Sequence, residues 1–534
     1  MKRIDCLLIG HNEMDFEKYR QSVVKMGKHS GAYRDLNLSF ITWNGKAYPA
    51  SDIYNLPWNG NKGPRAFKPL SMMDSFSAAI SYLGSYIHKN GFTFDYVHSF
   101  QDEKSELAEK LKKEDILTAA IITTYYVSFV PILEILEFIR TYNKKIKIVI
   151  GGPFISTQVR SQDPAPLAFL FDALGADFYV NSYQGETALI NIINALKSDL
   201  PLERINNIYY KSGRGEYKAT PIVIEENKLS ENMVDWDLFA DRVDEFVNIR
   251  TAISCPFSCA FCGSPEHAGD YQTAGVTEIE RELNRLGKIE SLKSVHFIED
   301  TFNVPVERFK NILRMMIKNK YKFTWHSYFR CQFIDREMAE LMKESGCEGV
   351  YLGLESGNNR ILKNMNKATT IEKYREGIAL LKEYGILMHG NFIIGFPGET
   401  NESVKDTIDF IKESGIDFFR VQLWYCMPIT PIWKQKEKYN INGKSFDWSH
   451  NTMDSSTACD IIEGIFLSIK EPIWVPQYNF DINNLLHMMH RGVTQEQVKA
   501  FLIAFNSGIR EKLIDPSSVE IGPQVVSKLN NAFM

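Results

Sequence analysis

Hydrophobic and polar positions in residues 1–200 follow two alternating periods. Short apolar runs, such as "CLLIG", "FDYVHSF", "LTAAIITT", "IKIVIGG" and "ADFYVNS", are typical of buried strands. Between them, stretches such as "SAAISYLGSYIHKNG" and "ETALINIINALKS" have the spacing of helices with one apolar side. Strands that alternate with helices predict a parallel sheet covered on both faces, with ligands bound beyond the carboxyl ends of the strands.

A second set of strands begins near residue 247. The predicted strands are 247–254, 294–300, 323–329, 349–355, 388–395 and 418–426. Helical patterns such as "TEIERELNRLG" and "VERFKNILRMMIKN" separate them. Six such units predict an incomplete (β/α)6 barrel whose loops at the strand carboxyl ends form one wide mouth.

The predicted fold class is therefore α/β. The chain has 534 residues, which exceeds the size at which a single hydrophobic core stops growing. We predict four segments: 1–200, a doubly wound, Rossmann-like domain with an insertion at about 31–75; 201–246, a linker with a hairpin; 247–435, the partial barrel; and 436–534, a mainly helical extension expected to contact substrate.

Composition excludes several classes of partner. A net charge of −5 and the lack of a strongly basic tract argue against nucleic acid and against a membrane surface. The uncharged stretch 116–133 contains Thr, Ser, Tyr and Pro, which favours a buried strand running into a helix over a membrane span. Acidic residues follow the N-terminal apolar run too early for a signal peptide. We expect a soluble, cytoplasmic protein.

Three of the eight cysteines lie on one short stretch, "CPFSCAFC", as Cys255, Cys259 and Cys262. Structural zinc needs four ligands, usually from two CxxC pairs, and here there is one pair with His267 as the only other close candidate. A cubane iron–sulfur cluster takes thiolates from a compact loop. Three thiolates would leave one iron without a protein ligand, where chemistry can occur.

A CxxxCxxC motif directly after a strand that opens such a barrel resembles the radical S-adenosylmethionine (SAM) superfamily. The resemblance covers about residues 247–430 and includes "GLESG" and "GNFIIGFPGET". It implies that the three cysteines bind a [4Fe–4S] cluster, whose fourth iron is chelated by SAM, and that they are catalytic. The SAM-binding residues it implies are Phe261 near the adenine, Asp300, Arg330 at the carboxylate, Glu355 at the ribose, and Gly395. An ion pair at the barrel mouth is the alternative for Arg330 and Glu355.

The first segment resembles the cobalamin-binding subclass of this superfamily. The matching stretches are "TTYYVS", "IVIGGPF" and "GADFYVNSYQGE". The usual DxHxxG motif is absent, which leaves the lower axial ligand of cobalt open, and His11 is read as an ordinary loop histidine. The cobalamin-binding residues implied by the resemblance are Gly10, Thr123, Thr124, Ser128, Gly151, Gly152, Pro153, Gly185 and Glu186.

Together the two domains imply a methyltransferase that uses SAM, methylcobalamin and an external electron donor of the flavodoxin or ferredoxin type. "LLIGHNEMDF", "SGAYRDLNLSFI" and "WSHNTMD" resemble the P-methyltransferase-like branch of natural-product enzymes. The methyl acceptor would be an unactivated carbon or a phosphinate phosphorus of a small molecule. Expected substrate contacts are Trp424, Tyr425, Trp448 and His450, although aromatic residues at such spacing are more commonly core.

Three other interpretations stay open. One is a cobalamin-binding radical SAM enzyme that cyclises or rearranges its substrate without methyl transfer. Another is a degenerate sheet that binds no corrinoid. The third, from a different class, is a zinc-stabilised binding module, which would need a fourth ligand that the sequence does not supply at finger spacing.

Overall fold

The computed structural model describes residues 2–56, 68–213, 215–517 and 520–533. In chain order its strands are β1 (Arg3–His11), β2 (Phe40–Trp43), β3 (Lys46–Pro49), β4 (Ser75–Phe76), β5 (Phe94–Ser99), β6 (Asp115–Ile122), β7 (Lys147–Gly151), β8 (Phe178–Val180), β9 (Ile208–Lys211), β10 (Tyr217–Ala219), β11 (Phe246–Ile249), β12 (Ala252–Ile253), β13 (Gln272–Thr273), β14 (Ser294–Phe297), β15 (Thr324–Phe329), β16 (Cys347–Glu355), β17 (Leu387–Ile394), β18 (Phe418–Leu423), β19 (Asn442–Lys444), β20 (Asp447–His450), β21 (Met453–Asp454) and β22 (Ile473–Trp474).

The helices are α1 (Phe16–Val24), α2 (Gly31–Asn37), α3 (Ala50–Asn55), α4 (Ala78–Lys89), α5 (Lys104–Lys113), α6 (Val130–Tyr142), α7 (Pro153–Ser161), α8 (Pro164–Leu174), α9 (Glu186–Ser198), α10 (Ser264–Ala268), α11 (Val276–Leu286), α12 (Val306–Asn319), α13 (Arg336–Glu344), α14 (Asn359–Asn364), α15 (Ile371–Glu383), α16 (Asn401–Glu413), α17 (Lys436–Tyr439), α18 (Ser455–Ser468), α19 (Ile482–His490), α20 (Gln495–Ile514) and α21 (Pro523–Asn531). The alternation of strands and helices confirms the predicted α/β class.

The chain divides into two compact units. The first consists of Met1–Met14, Met73–Pro256 and Ser264–Leu292, and the second of Asp15–Met72, Phe257–Gly263 and Lys293–Met534. Residues of the insertion predicted at 31–75 fall mainly in the second unit, and its part at 57–67 lies outside the described residues. The four predicted segments have other bounds than these units and stay a prediction.

The first unit contains a sheet in the order β10-β9-β8-β7-β6-β1-β5. Strands β5, β1, β6, β7 and β8 pair in parallel, and the hairpin expected within 201–246 is present as antiparallel β9 and β10. Counted along the chain, the parallel strands lie in the order 2-1-3-4-5, so the winding reverses between β1 and β6. In doubly wound sheets, ligands bind outside the carboxyl ends of the strands at such a reversal.

Apolar side chains explain why these strands form the centre of the first unit. Ile4, Leu7 and Ile9 of β1 are fully buried, and Ile121 and Ile150 on the neighbouring strands β6 and β7 join the same core. Burying each such side chain contributes about 1.5–3 kcal/mol. Helices α4 to α9 follow or connect these strands, which matches the covered sheet expected from the continuous apolar runs.

The second unit contains the parallel run β14-β15-β16-β17-β18-β22. Five of its strands match the predicted strands from 294 onward. The sixth, β22, was not predicted because two residues, Ile473 and Trp474, give no periodic signal. Between the strands, helices such as α12 bury one apolar side, with Phe309, Ile312 and Leu313 fully enclosed.

The strand predicted at 247–254 is wrong in one respect. It divides into β11 and β12, and β12 pairs antiparallel with β13 instead of continuing a parallel ladder. The break falls at Arg250, whose carbonyl accepts a hydrogen bond from the Tyr82 hydroxyl and whose guanidinium lies 4.3 Å from the centre of the Tyr82 ring. Because the Tyr82 side chain holds Arg250 in this way, Arg250 is not part of a strand.

Alternate residues of a strand point to opposite faces of the sheet. In the second unit the register pairs Tyr328 with Tyr351 and Tyr351 with His389, while Asn391 pairs with Arg420. Because His389 and Asn391 are two residues apart on β17, all five side chains lie on the same face, which we call the polar face. The opposite face buries Trp325, Phe329, Leu352 and Phe392.

Within the described ranges, no helix has both the length and the apolar character needed to cross a bilayer. The uncharged stretch 116–133 is strand β6 followed by the start of α6, as expected from its composition.

Candidate active site

The residues predicted to bind cobalamin lie along one edge of the sheet in the first unit. Gly10 is near the end of β1, Thr123 and Thr124 directly follow β6, and Ser128 precedes α6. The remaining members stand at the ends of β7 and in the turn before α9: Gly151, Gly152, Pro153, Gly185 and Glu186. The structure therefore places all nine at the carboxyl ends of the parallel strands, and their contact with a corrinoid stays a prediction.

Two of these glycines have a structural explanation within the sheet. A Cβ on Gly10 would lie 2.0 Å from the His98 carbonyl oxygen, so the neighbouring strand β5 requires glycine there. At Gly152, φ is +116°, and a Cβ would lie 2.9 Å from the Thr123 Oγ1. Thr123 itself is tied to Gly151, whose carbonyl accepts from the Thr123 N–H at 3.0 Å and from its hydroxyl at 2.8 Å. These bonds fix the edge where β6 and β7 end.

Glu186 points into the first unit. Its carboxylate lies 3.4 Å from the Arg250 guanidinium, and burial raises the pKa of this carboxyl. Both side chains line a cavity of about 10 Å³, together with Tyr82 and Gln184, which is roughly the space of one water molecule. Glu186 thus forms an ion pair inside the first unit, whereas the sequence predicts that it contacts the cofactor. That contact stays a prediction.

The reversal between β1 and β6 carries residues that sequence reasoning did not select. The Asn12 N–H donates to the Tyr126 hydroxyl oxygen at 2.7 Å, and the Asn12 side-chain amide donates to the Pro131 carbonyl at 2.9 Å. The His11 ring stacks on Tyr126 with centroids 5.0 Å apart. Burial lowers the pKa of His11 to about 4, so the ring is neutral at physiological pH.

The loop that follows β6 exposes a group of apolar side chains. Tyr125, Val127, Phe129 and Val130 are all exposed, Val127 to 83%. Exposed apolar groups clustered on one loop commonly mark a binding surface. The loop lies at the strand reversal, where the topology favours a ligand.

In the second unit, residues 257–263 of the cysteine loop are held by backbone hydrogen bonds. The Ala260 N–H donates to the Met365 carbonyl at 2.8 Å, and the Ile432 N–H donates to the Ala260 carbonyl at 2.9 Å. The Cys262 N–H donates to the Cys259 carbonyl at 3.1 Å, which forms a turn between the two. The side chain of Cys259 is buried, and none of the eight cysteines, all of which lie in the described residues, forms a disulfide.

Arg330 directly follows β15 and reaches the cysteine loop. Its Nη2 lies 2.9 Å from the Cys259 Sγ, its Nη1 donates to the Lys367 carbonyl at 3.1 Å, and its guanidinium lies 3.6 Å from the centre of the Phe257 ring. The Asn303 side chain holds the Arg330 backbone, since its Oδ1 accepts from the Arg330 N–H and its Nδ2 donates to the Arg330 carbonyl. A buried cation that donates to sulfur stabilises negative charge there. The carboxylate contact expected for Arg330 stays a prediction.

Glu355 forms the ion pair that was the alternative for it. Its Oε1 accepts from the Lys367 Nζ at 2.9 Å, and both side chains are buried. The Asn391 amide lies 3.4 Å from the other carboxylate oxygen, and the Lys367 Nζ lies 5.5 Å from the centre of the Phe261 ring. Phe261 in turn contacts Phe396 edge to face. Lys367 therefore joins Glu355 and the cysteine loop, a role that its position twelve residues after Glu355 does not reveal.

Asp300 is exposed in the turn after β14, while its neighbour Glu299 is buried. Within the described ranges, no group of three or more His, Cys, Asp or Glu side chains is arranged to hold a metal ion. Ligation of a cluster by Cys255, Cys259 and Cys262 therefore stays a prediction. Their chemistry fits one, because three thiols stand on a single short loop and a guanidinium already contacts one sulfur.

Three of the four expected substrate residues are packed inside the second unit. Trp424, Trp448 and His450 are buried, the Trp448 indole N–H donates to the Trp424 carbonyl at 2.8 Å, and the rings of Trp448 and His450 stack. A Cβ on Gly395 would lie 2.4 Å from the Trp448 ring, so this packing requires glycine. Tyr425 is different, with 42% of its surface exposed. Substrate contact by any of the four stays a prediction.

Residues 249–411 match the sequence model of the radical SAM superfamily. The chain contains a radical SAM domain. The recognition made from the cysteine motif is thereby confirmed, and the matched range includes the cysteine loop, Arg330, Glu355, Lys367 and Gly395.

Relatives and solved structures extend beyond the radical SAM domain. An uncharacterized methyltransferase of Pyrococcus horikoshii is 27% identical over 337 residues, 62% of this chain and 71% of the relative. The anaerobic magnesium-protoporphyrin IX monomethyl ester cyclase of Rubrivivax gelatinosus is 25% identical over 392 residues, 68% of each chain. The radical S-adenosylmethionine methyltransferase TsrM from Kitasatospora setae, solved with cobalamin and a [4Fe–4S] cluster, has a TM-score of 0.56 at 19% identity and covers 68% of this chain and 72% of its own. That likeness shows a shared fold.

Proposed function

We propose that this protein is a cobalamin-dependent radical SAM methyltransferase that acts on a small molecule. The methyl acceptor would be an unactivated carbon or a phosphinate phosphorus. One observation carries the proposal: a radical SAM domain and a doubly wound sheet with an apolar loop at its strand reversal occur in the same chain. The fold likeness to a methyltransferase solved with cobalamin and a cluster supports it.

When bound, the cluster, SAM and cobalamin would supply one-electron cleavage of a sulfonium and a carrier for methyl groups. The residues of this chain would position them. Cys255, Cys259 and Cys262 would hold three irons, and Arg330 would hold the sulfur of Cys259 and shield it from water together with Phe257. Because Arg330 and Phe257 are already packed in this arrangement, cluster binding would need little rearrangement around Cys259.

The edge of the first sheet would hold the corrinoid. The exposed side chains of Tyr125, Val127 and Phe129 fit the apolar face of a large planar ring. Thr123 and Gly152 lie close together at this edge, because a side chain at Gly152 would meet the Thr123 hydroxyl. His11 is neutral and buried beside this loop, so no charge opposes an apolar ligand there.

The compartment and the electron donor are also part of the proposal. The absence of a disulfide among the eight cysteines, all of which the structure describes, agrees with a reducing, cytoplasmic environment. Reduction of the cluster would need an external one-electron donor of the flavodoxin or ferredoxin type. Pairing the purified enzyme with such donors in turn, and measuring the rate of SAM cleavage with each, tests this part.

The experiment that tests the main proposal begins with anaerobic reconstitution with iron, sulfide and hydroxocobalamin, followed by desalting. Retained iron and retained corrinoid bands in the absorption spectrum are expected. The loaded enzyme is then given deuteromethyl-labelled SAM, a reductant and candidate acceptors. A methylated product formed together with S-adenosylhomocysteine and 5′-deoxyadenosine supports methyl transfer, whereas 5′-deoxyadenosine alone contradicts it.

A second candidate function is ring formation without methyl transfer. It is favoured by the likeness to the Rubrivivax gelatinosus cyclase, which spans 68% of this chain. Consumption of an acceptor with 5′-deoxyadenosine as the only nucleoside product, and with no deuterium transferred, would favour this candidate. The two functions thus differ in the products of SAM.

A further inference from the structure

A buried arginine stands on the polar face of the second unit without a carboxylate partner. Arg420 is 5% exposed. Its Nε donates to the Val475 carbonyl at 3.3 Å, and its Nη2 donates to the carbonyls of Pro476, at 2.6 Å, and Phe480. Among the described residues, no carboxylate lies within 4.0 Å of the guanidinium. Carbonyls accept from its Nε and Nη2 but leave its charge unneutralised, and buried charges in proteins are normally paired.

Acidic residues act on this face only from a greater distance. Burial raises the pKa of Asp35 to about 7, and the charge of Arg420 opposes that rise. The charge of Arg420 therefore acts on the pKa of Asp35, although the two side chains form no ion pair. Arg420 also acts on the Tyr351 hydroxyl, where its charge and a side-chain hydrogen bond lower the pKa, whereas Glu355 and Asp481 raise it. Among the described residues, the charge of Arg420 therefore has no carboxylate partner at ion-pair distance.

The neighbour of Arg420 on the polar face is a histidine with both ring nitrogens unsatisfied. His389 is fully buried, and neither nitrogen has a hydrogen-bond partner in the described part of the chain. Burial and the charge of Arg420 hold the pKa of His389 well below its ordinary value, so the ring is neutral and carries one N–H. A buried polar group of this kind needs a partner, which here must come from outside the described residues.

Part of the polar face is accessible to solvent, while α19 covers another part, where Ile482 approaches Gly349. Tyr328, Tyr351 and Gln422 lie on the polar face and are only partly buried. The residues beside them on the same strands point to the opposite face and are buried. The Tyr351 ring contacts His389 at 4.8 Å between centroids. The Asn391 side chain donates to Gln422 at 3.0 Å, and its own carbonyl oxygen is buried without a partner. Partly exposed side chains and unsatisfied polar groups therefore occur together on this face.

We propose that Arg420 and His389 bind an oxyanion group of the substrate, a carboxylate or a phosphinate. The guanidinium supplies the positive charge and the neutral imidazole donates one hydrogen bond. This assignment rests on the proposed function only in naming the oxyanion as part of the substrate; the binding site itself does not depend on methyl transfer. It predicts that the molecule to be modified carries its negative charge at a fixed distance from the reacting atom.

The test uses the full-length, reconstituted protein and two oxyanion probes, dimethylphosphinate and acetate, with the neutral isostere dimethyl sulfone as reference. Calorimetric titration is expected to show saturable binding of the two anions, with a dissociation constant on the order of 1 mM for such small molecules, and no binding of the sulfone. Arg420→Met is expected to weaken anion binding about tenfold or more, because it removes the charge.

The matched control is Arg510→Met. Arg510 also donates to backbone carbonyls, those of Phe466 and Ile469, and lies away from the polar face. It is expected to keep wild-type affinity. If Arg420→Met does not fold, His389→Leu, which keeps the cation and removes the donor, is expected to weaken binding severalfold.

Equal affinity in wild type, Arg420→Met and His389→Leu would overturn the proposal, and so would equal binding of the neutral sulfone. A last arm repeats the titration with SAM at saturation. Unchanged anion affinity supports a substrate site, whereas loss of anion binding would assign the site to the carboxylate of SAM and overturn the substrate assignment. Since no turnover is measured, failure of the methyltransferase proposal would leave these results unaffected.

Discussion

The two parallel sheets of this molecule are built from the same kind of βα repeat and differ in what their faces carry. In the first unit, β1, β6 and β7 bury Ile4, Leu7, Ile121 and Ile150, and the polar groups of interest stand beyond the strand ends. In the second unit, His389 and other polar side chains lie on the face of the sheet itself.

The difference follows from what covers each face. A sheet packed between two layers of helices must be apolar on both sides, so its chemistry is confined to the edge where strands end. The polar face of the second sheet is covered in part by α19, which contacts it through Asn483 as well as through Ile482, so polar residues can lie along its strands. The first unit is therefore suited to a ligand that rests on an edge, and the second to a ligand that enters among side chains.

The largest effect is expected from the cysteine loop. Changing Cys255, Cys259 and Cys262 together to alanine should abolish retained iron and all cleavage of SAM, because no thiolate would remain to bind the cluster. Iron and sulfide analysis after anaerobic reconstitution measures the retained iron, and formation of 5′-deoxyadenosine measures the cleavage of SAM. Corrinoid retention should stay at the wild-type level if the two sheets work separately. Full turnover by the triple variant would contradict the assignment of the site.

The next effect concerns packing in the second unit. Gly395→Ala should destabilise the protein by about 3 kcal/mol, since φ at Gly395 is +95° and the new Cβ would lie 2.4 Å from the Trp448 ring. The melting temperature of the apoprotein, followed by calorimetry, measures the change. Gly464→Ala is the matched control, because nothing lies within 4 Å of its Cβ position on α18, and it should leave stability equal or slightly higher. Equal melting of both variants would contradict the packing argument.

Much of the fold could be predicted from the sequence because the strands of both sheets are apolar runs bounded by turns. The cysteine loop could be found because its three ligands are close in the chain. Arg420 and His389 could not, since they lie 31 residues apart and meet only through strand register. At Gly10 the structure shows a neighbouring strand that requires glycine, and contact of this residue with a cofactor stays a prediction. Patterns over short stretches predict helices and strands, whereas the pairing register of strands that are distant in the sequence decides which side chains lie together.

A smaller effect tests the contrast between a ligand site at the edge of the first sheet and one on the face of the second sheet. Val127→Asp should weaken corrinoid retention about tenfold, or by about 1.4 kcal/mol, because it places a charge on the exposed apolar loop after β6. Equilibrium dialysis with hydroxocobalamin measures the affinity. Iron content should not change, since Val127 is not among the residues predicted to hold the cluster. Ile222→Asp, at another exposed apolar position of that unit, is the control and should keep wild-type affinity. Equal losses in both variants would remove the case for a corrinoid site at the strand reversal.

The smallest effect concerns buried carboxyls that follow a strand. In the first unit Glu186 faces Arg250, whereas in the second Glu399 accepts the Gly395 N–H at 2.6 Å and its other oxygen is buried without a partner in the described chain. Burial raises the pKa of Glu399 to about 8. In the unfolded chain a glutamate titrates near about 4.3. Between these values folding takes up a proton, so Glu399 contributes stability at low pH that is lost as pH rises toward 8.

Replacing Glu399 with glutamine removes that proton uptake and keeps the shape of the side chain. The apoprotein of Glu399→Gln should therefore lose a slope of up to about 1.4 kcal/mol per pH unit between pH 5 and 8, approximate bounds that follow from the two pKa values. Melting temperatures at a series of pH values measure it, with Glu402→Gln on the exposed side of α16 as the matched control. If the wild-type and Glu399→Gln curves run parallel over this range, Glu399 is ionised in the folded protein, and the second sheet then holds an additional buried charge that must find a partner.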